Sequence, residues 1–149
     1  MKKIGCFKKE QNGWVGAISV LQFEAQARIV PIKAKASVSA PDFAIIKHSH
    51  TDAFSAELGA VWLKHSKAQR VDYLAVTLDD PALASPIKAV LWHDTTDDLW
   101  YLYWDRHATG EHIVETLYVQ EDLKPQIGIL PIMRLTAHMV MHYPHLKPT

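Results

Sequence analysis

A chain of 149 residues, 48% hydrophobic and 21% charged, is long enough to bury one self-supporting core and too apolar to stay disordered. Its longest apolar run, residues 127–133, is broken by Gly128 and Pro131 and falls short of the roughly 20 residues a membrane helix needs; Lys2, Lys3, Lys8 and Lys9 flank Gly5 and Cys6 where a secretory signal would be apolar, so a cytoplasmic protein without membrane contact is expected. The one cysteine, Cys6, excludes an internal disulfide and a multi-cysteine zinc site, and the formal net charge of zero excludes a uniformly polycationic chain.

The chain opens with a short strand over residues 4–7. A polar turn at Asn12-Gly13 follows, the pair that best tolerates positive φ, and residues 14–21 return as the partner strand. Phe23, Ala25, Ala27 and Ile29 alternate with Glu24, Gln26 and Arg28, the period of a half-buried strand, and Pro31 either ends that strand or marks it as an edge. Residues 33–41 are small and polar and form a loop; 42–47 are extended, and 48–55 form a second loop. Residues 57–65 and 71–78 make the clearest hairpin, joined by polar residues 66–70, with Leu74, Val76 and Leu78 toward the core and Tyr73, Ala75 and Thr77 on the opposite face.

Asp79-Asp80-Pro81 breaks this strand, and Pro86 starts the next through Ile87, Ala89 and Leu91. A hairpin at residues 94–98 returns through 99–104, with Trp100, Leu102 and Trp104 on one face and Tyr101 and Tyr103 on the other. Residues 113–119 are expected to form one more strand, and Pro131 suits the first position of a helix carrying Ile132, Leu135 and Met139 and ending before Pro144. The pattern predicts a mainly β (α+β) fold: an antiparallel sheet of about six to eight strands, curled into a small barrel or sandwich, with a C-terminal helix.

An ordered series of residues runs through this β region: Ile4-Gly5-x-Phe7, Gly13-x-x-Gly16-x-Ile18, Pro31, Ala40-Pro41-Asp42, Glu57-Leu58-Gly59-Ala60-x-Trp62-x-Lys64-x-Ser66, Asp72-Tyr73-Leu74-x-Val76-x-Leu78-Asp79-Asp80-Pro81 and Pro86-Ile87-x-Ala89. Over residues 4 to about 106 it resembles a bacterial family known as domain of unknown function 736. The resemblance implies a setting on conjugative plasmids, integrative elements and other mobile DNA; it carries no activity, cofactor or catalytic residue. It divides the chain into a β domain, residues 1–106, and an extension, 107–149, packed on the same domain. Where the family usually has a Trp-Lys-Lys run this chain has Trp62-Leu63-Lys64, and residues 47–55 are an insertion.

The hairpin around Trp62 is the best candidate for a binding surface. Trp62 and Lys64 share a strand face, Lys67 and Arg70 lie in the adjoining turn, and Tyr73 follows on the return strand. Aromatic rings ringed by cations suit single-stranded DNA or RNA, whose bases stack while Lys and Arg meet phosphates. The competing reading is a core tryptophan beside solvated lysines around a turn.

His138 and His142, four apart on the expected helix, could share an ion with His145 or with His48 and His50, but no carboxylate or thiolate set accompanies them, so no metal or other cofactor is expected. Asp79 and Asp80 point to opposite faces of an extended chain and read as turn formers, as do Asp94, Asp97 and Asp98. With no phosphate loop, nucleophile elbow or zinc-protease motif, a non-enzymatic protein is expected.

The alternative is a protein-interaction module, an inhibitor or accessory factor for a host or conjugation protein, acting through the apolar C-terminal helix; the same helix could pair two copies of the chain. Residues 1–70 hold eleven Lys or Arg against five Asp or Glu, and residues 71–149 hold five against eleven. These sets are expected to mix over one surface, because halves of an antiparallel sheet rarely occupy separate faces; segregated, they could guide a nucleic acid to one side or pair two copies head to tail.

Overall fold

The structure, a computed structural model, describes residues 1–21, 23–48 and 56–123. Eight strands come first: β1 (Lys2–Lys9), β2 (Trp14–Val20), β3 (Phe23–Pro31), β4 (Phe43–Lys47), β5 (Glu57–Ser66), β6 (Val71–Leu78), β7 (Ile87–Asp94) and β8 (Leu99–Trp104). A helix, α1 (Gly110–Leu123), follows them. Every strand pairs antiparallel with its neighbours in chain order, and β8 pairs with β1, so the sheet closes as an up-and-down barrel. Between barrel and sandwich, the barrel is the outcome.

Alternation builds the interior. Ile29 lies opposite Trp14 and Ile45, Val76 opposite Val61 and Ala89, and Leu91 opposite Leu74 and Leu102, so the inward sets of neighbouring strands meet in register. Trp14 meets Phe43 and Trp100 edge-on, with ring centroids 5.2 and 5.3 Å away, and these contacts fill the barrel instead of leaving a channel. Burying each such side chain contributes about 1.5–3 kcal/mol. Gly16 lets β1 and β2 approach closely: a Cβ there would lie 2.0 Å from the Cys6 carbonyl oxygen. Closure leaves β3 flanked on both sides, so Pro31 ends its strand and does not mark an edge.

Three expectations are corrected. The connection at Asn12-Gly13 is not a two-residue turn with positive φ: the Glu10 N–H donates to the Gly13 carbonyl at 2.8 Å, and among the described non-glycine residues only Arg70 and Asp98 have positive φ. Residues 113–119 belong to α1, not to a strand. Thr109 caps that helix, its Oγ1 accepting from the His112 N–H at 3.3 Å and its carbonyl from the Ile113 N–H at 3.0 Å. Ile113, Val114 and Leu117 then fall on one helical face and are buried. The helix predicted from Pro131 onward lies outside the described residues.

The charge sets, third, are divided by sector of the barrel and meet at the seam of β1 and β8, where Lys3 lines a depression with Asp94 and Glu121. In an up-and-down barrel, chain order is order around the circumference, so the basic first part of the chain forms the β1–β5 side and the acidic part the β6–β8 side with α1. The expectation of mixing assumed a sheet whose strands interleave the two halves, which this topology does not do.

Candidate nucleic-acid interface

In the β5–β6 hairpin, Val61, Leu74 and Val76 point inward, which turns Trp62 and Lys64 outward. Across the strand pair Trp62 lies opposite Ala75 and Lys64 opposite Tyr73, so all four share the outer face. The hairpin turns through Lys67 to Arg70. Ser66, fully buried, holds the turn: its carbonyl accepts from the Arg70 N–H at 2.8 Å and its hydroxyl from the Gln69 N–H at 3.2 Å. Arg70 closes the loop in the left-handed region at φ 56°. Lys64, Lys67 and Arg70 are exposed, and among the described residues none of them forms an ion pair.

Trp62 is half-buried, neither in the core nor free in solvent, because the β3–β4 loop folds back on it. Its indole N–H donates to the Ser39 carbonyl at 3.1 Å. Asp42 pins that loop to β5: its N–H donates to the Val61 carbonyl at 2.9 Å, its Oδ2 accepts from the Leu63 N–H at 2.8 Å, and its Oδ1 pairs with Lys35 Nζ at 2.9 Å. Burial alone would raise the Asp42 carboxyl, but the Lys35 ammonium and the Leu63 N–H hold it below the usual carboxylate range.

Tyr73 departs from the expected site. It stands on the predicted face, opposite Lys64, yet is only 4% exposed because α1 covers it. A Cβ built on Gly110 would lie 3.7 Å from Tyr73 Cε2 and 3.8 Å from a Val90 methyl, so the first turn of the helix rests on this ring. Burial, and secondarily Glu111, raises the Tyr73 phenol pKa. The structure therefore brings Trp62 and Lys64 to the outer face of one hairpin, with exposed Lys67 and Arg70 in its turn, and places Tyr73 beneath the helix.

Two features of this surface escaped the sequence reading. Ser39 sits in a stretch whose composition signals only a loop, and no pattern links it to Trp62. Glu111 accepts from the Ser66 hydroxyl at 2.9 Å; here a signal existed, since Thr109 as cap followed by Ile113, Val114 and Leu117 is a helix-start pattern. Leu63 lies opposite Leu74, on the other face of the strand from Lys64, and is 37% exposed, so a lysine at that position would leave by a different face from Lys64.

Elsewhere, the aspartates act locally. Asp80 Oδ1 accepts from the Ala82 N–H at 2.9 Å, Asp94 Oδ1 from Thr96 N–H at 2.8 Å and Asp97 Oδ1 from Leu99 N–H at 3.0 Å, all bracing turns as expected. Among the described residues no three His, Cys, Asp or Glu side chains converge as a metal site; His50, His138, His142 and His145 lie outside them. A depression of about 230 Å³ at the opposite end of the barrel, lined in part by Ile18, Phe23, Leu58, Leu78 and Leu83, is smaller than the roughly 300 Å³ at which ligand pockets begin. No helix among the described residues is long and apolar enough to cross a membrane.

No curated protein and no solved structure matches the chain. A family model described as "Protein of unknown function (DUF736)" matches residues 3–107, the whole barrel without α1. That match spans well over half of the sequence and coincides with the closed sheet, and the chain belongs to this family.

Proposed function

We propose that this protein is a non-enzymatic binder of single-stranded nucleic acid, working in the mobile-DNA setting that its family resemblance implies. The strand lies along the outer face of β5: one base stacks on the exposed part of Trp62, and phosphates meet Lys64, Lys67 and Arg70. The observation that carries this reading is the shared outward face of Trp62 and Lys64 beside two turn cations, with none of the three cations in an ion pair among the described residues. Tyr73 is left out of the contact set because α1 covers it.

The test is a fluorescence-anisotropy titration of a labelled oligothymidylate and its RNA counterpart at several salt concentrations. Three phosphate contacts on a single strand give a log–log salt slope of about −2. Trp62→Ala removes about 1–3 kcal/mol of stacking, and adding Lys64→Ala flattens the slope by about 0.7. Binding that ignores salt, or that survives the double substitution unchanged, removes the reading.

A further inference from the structure

We propose that α1 is an intramolecular strap that competes with nucleic acid for the β5–β6 face, an inference that rests on the binding reading above. The family match ends at residue 107, just before the Thr109 cap, so α1 is an addition laid on a barrel that is otherwise closed without it. Its body packs on β7, and its first turn reaches the candidate surface. Its first turn covers Tyr73, the ring that stands opposite Lys64 on the same outward face as Trp62.

Charge points the same way. The helix GEHIVETLYVQEDL carries Glu111, Glu115, Glu121 and Asp122 and no Lys or Arg. It sets the Glu111 carboxylate on the hydroxyl of Ser66, the residue that precedes Lys67 and closes the turn with Arg70. A carboxylate thus sits on the residue that opens the cationic turn, and a buried aromatic sits where a second base could stack. Docked, the strap screens both; displaced, it uncovers Tyr73 next to Lys64 and withdraws the acid. A strap closed nine-tenths of the time weakens apparent affinity about tenfold.

The attachment ties the helix to two hairpin ends. Ile113, Val114 and Leu117 supply the apolar contact, and the side-chain hydrogen bonds to the barrel include Ser66 to Glu111 and, at the far end, Thr95 Oγ1 to Glu121 Oε1 at 2.6 Å. Both are made by carboxylates at hairpin ends.

The experiment measures oligothymidylate affinity of the full chain, Glu111→Gln, Glu115→Gln and Leu117→Ala, together with hydrogen exchange of residues 110–123 with and without saturating oligonucleotide. Glu115 is exposed on the same helix, so its substitution removes the same charge without touching Ser66. The expected result is affinity raised about three- to tenfold by Glu111→Gln, clearly less by Glu115→Gln, and faster exchange of the α1 amides when oligonucleotide is bound. Equal effects of the two glutamate variants, or α1 amides that exchange unchanged or slower in the complex, overturn the strap; if Trp62→Ala still weakens binding in that case, the binding face stands without it. Trp62-dependent binding by Leu117→Ala alone supports the strap, and absence of binding by every variant overturns both readings.

Discussion

Arg70 carries two burdens at once. At φ 56° it occupies a backbone region that costs a residue with a Cβ about 1 kcal/mol, and its guanidinium is one of the exposed cations of the proposed face. Replacing it by glycine and by alanine separates the two. Arg70→Gly relieves the backbone cost and is expected to raise stability by about 0.5–1 kcal/mol, whereas Arg70→Ala keeps that cost and stays within about 0.5 kcal/mol of the parent. Both lose one phosphate contact and flatten the salt slope by about 0.7. Urea unfolding midpoints and the anisotropy titration read the two effects independently, and a destabilised Arg70→Gly would show that the side chain, not the backbone, holds the turn. This double role was half legible. The outward face of Trp62 and Lys64 follows from period two alone, but the positive φ at Arg70 depends on loop closure around Ser66, and the covering of Tyr73 depends on a helix that arrives almost forty residues later in the chain.

At the scale of elements, the β7–β8 hairpin shows how a run of aspartates can organise a tip without forming a catalytic pair. Asp94 and Asp97 cap backbone N–H groups; Asp98 takes positive φ, at 60°, with its Oδ1 2.7 Å from His93 Nε2. The second oxygen of Asp97 accepts from the Tyr101 hydroxyl at 2.5 Å, and this bond, with burial and nearby acids adding to it, pushes the phenol up to about 12. Tyr103 is also pushed up to about 12, chiefly by burial. A phenol raised above its ordinary value of about 10 favours the folded state fully below that value, and the contribution fades as pH climbs through the folded pKa near 12. Asp97→Asn removes the charge and is expected to bring one tyrosine's ionisation back toward 10, while Tyr103 stays high. Ultraviolet titration of tyrosinate absorbance reads this directly, and an unmoved curve would mean that the bond does not hold in solution. Strands were legible because their alternation is local. α1 was misread as a strand because Ile113, Val114 and Val119 favour extended backbone by type, and the helical spacing of Ile113, Val114 and Leu117 prevailed once Thr109 capped the first turn and β7 offered a face to bury them.

For the whole molecule, closure converts chain position into angle. The number and order of strands could be anticipated from turn signals, but the pairing of β1 with β8 joins residues about a hundred apart and leaves no local trace, so the barrel, and with it the separation of charge, could not be read before the fold. The first 70 residues contribute eleven cations to the β1–β5 side; across residues 71–123 only Lys88 and Arg106 stand against eleven carboxylates. A protein of zero net charge with mixed charges passes both cation and anion exchangers near neutral pH. This one is expected to be held by both at low ionic strength, each resin gripping one side of the barrel, and released from both well before 1 M salt, where the screening length falls to about 3 Å. Replacing Lys64, Lys67 and Arg70 by alanine together is expected to weaken retention on heparin and strengthen it on the anion exchanger, since the hairpin lies where the basic side meets the acidic one. Elution from both resins in the void volume at low salt would show that the two charge sets neutralise each other across the surface and would leave the hairpin cations without the field that makes their side of the barrel distinct.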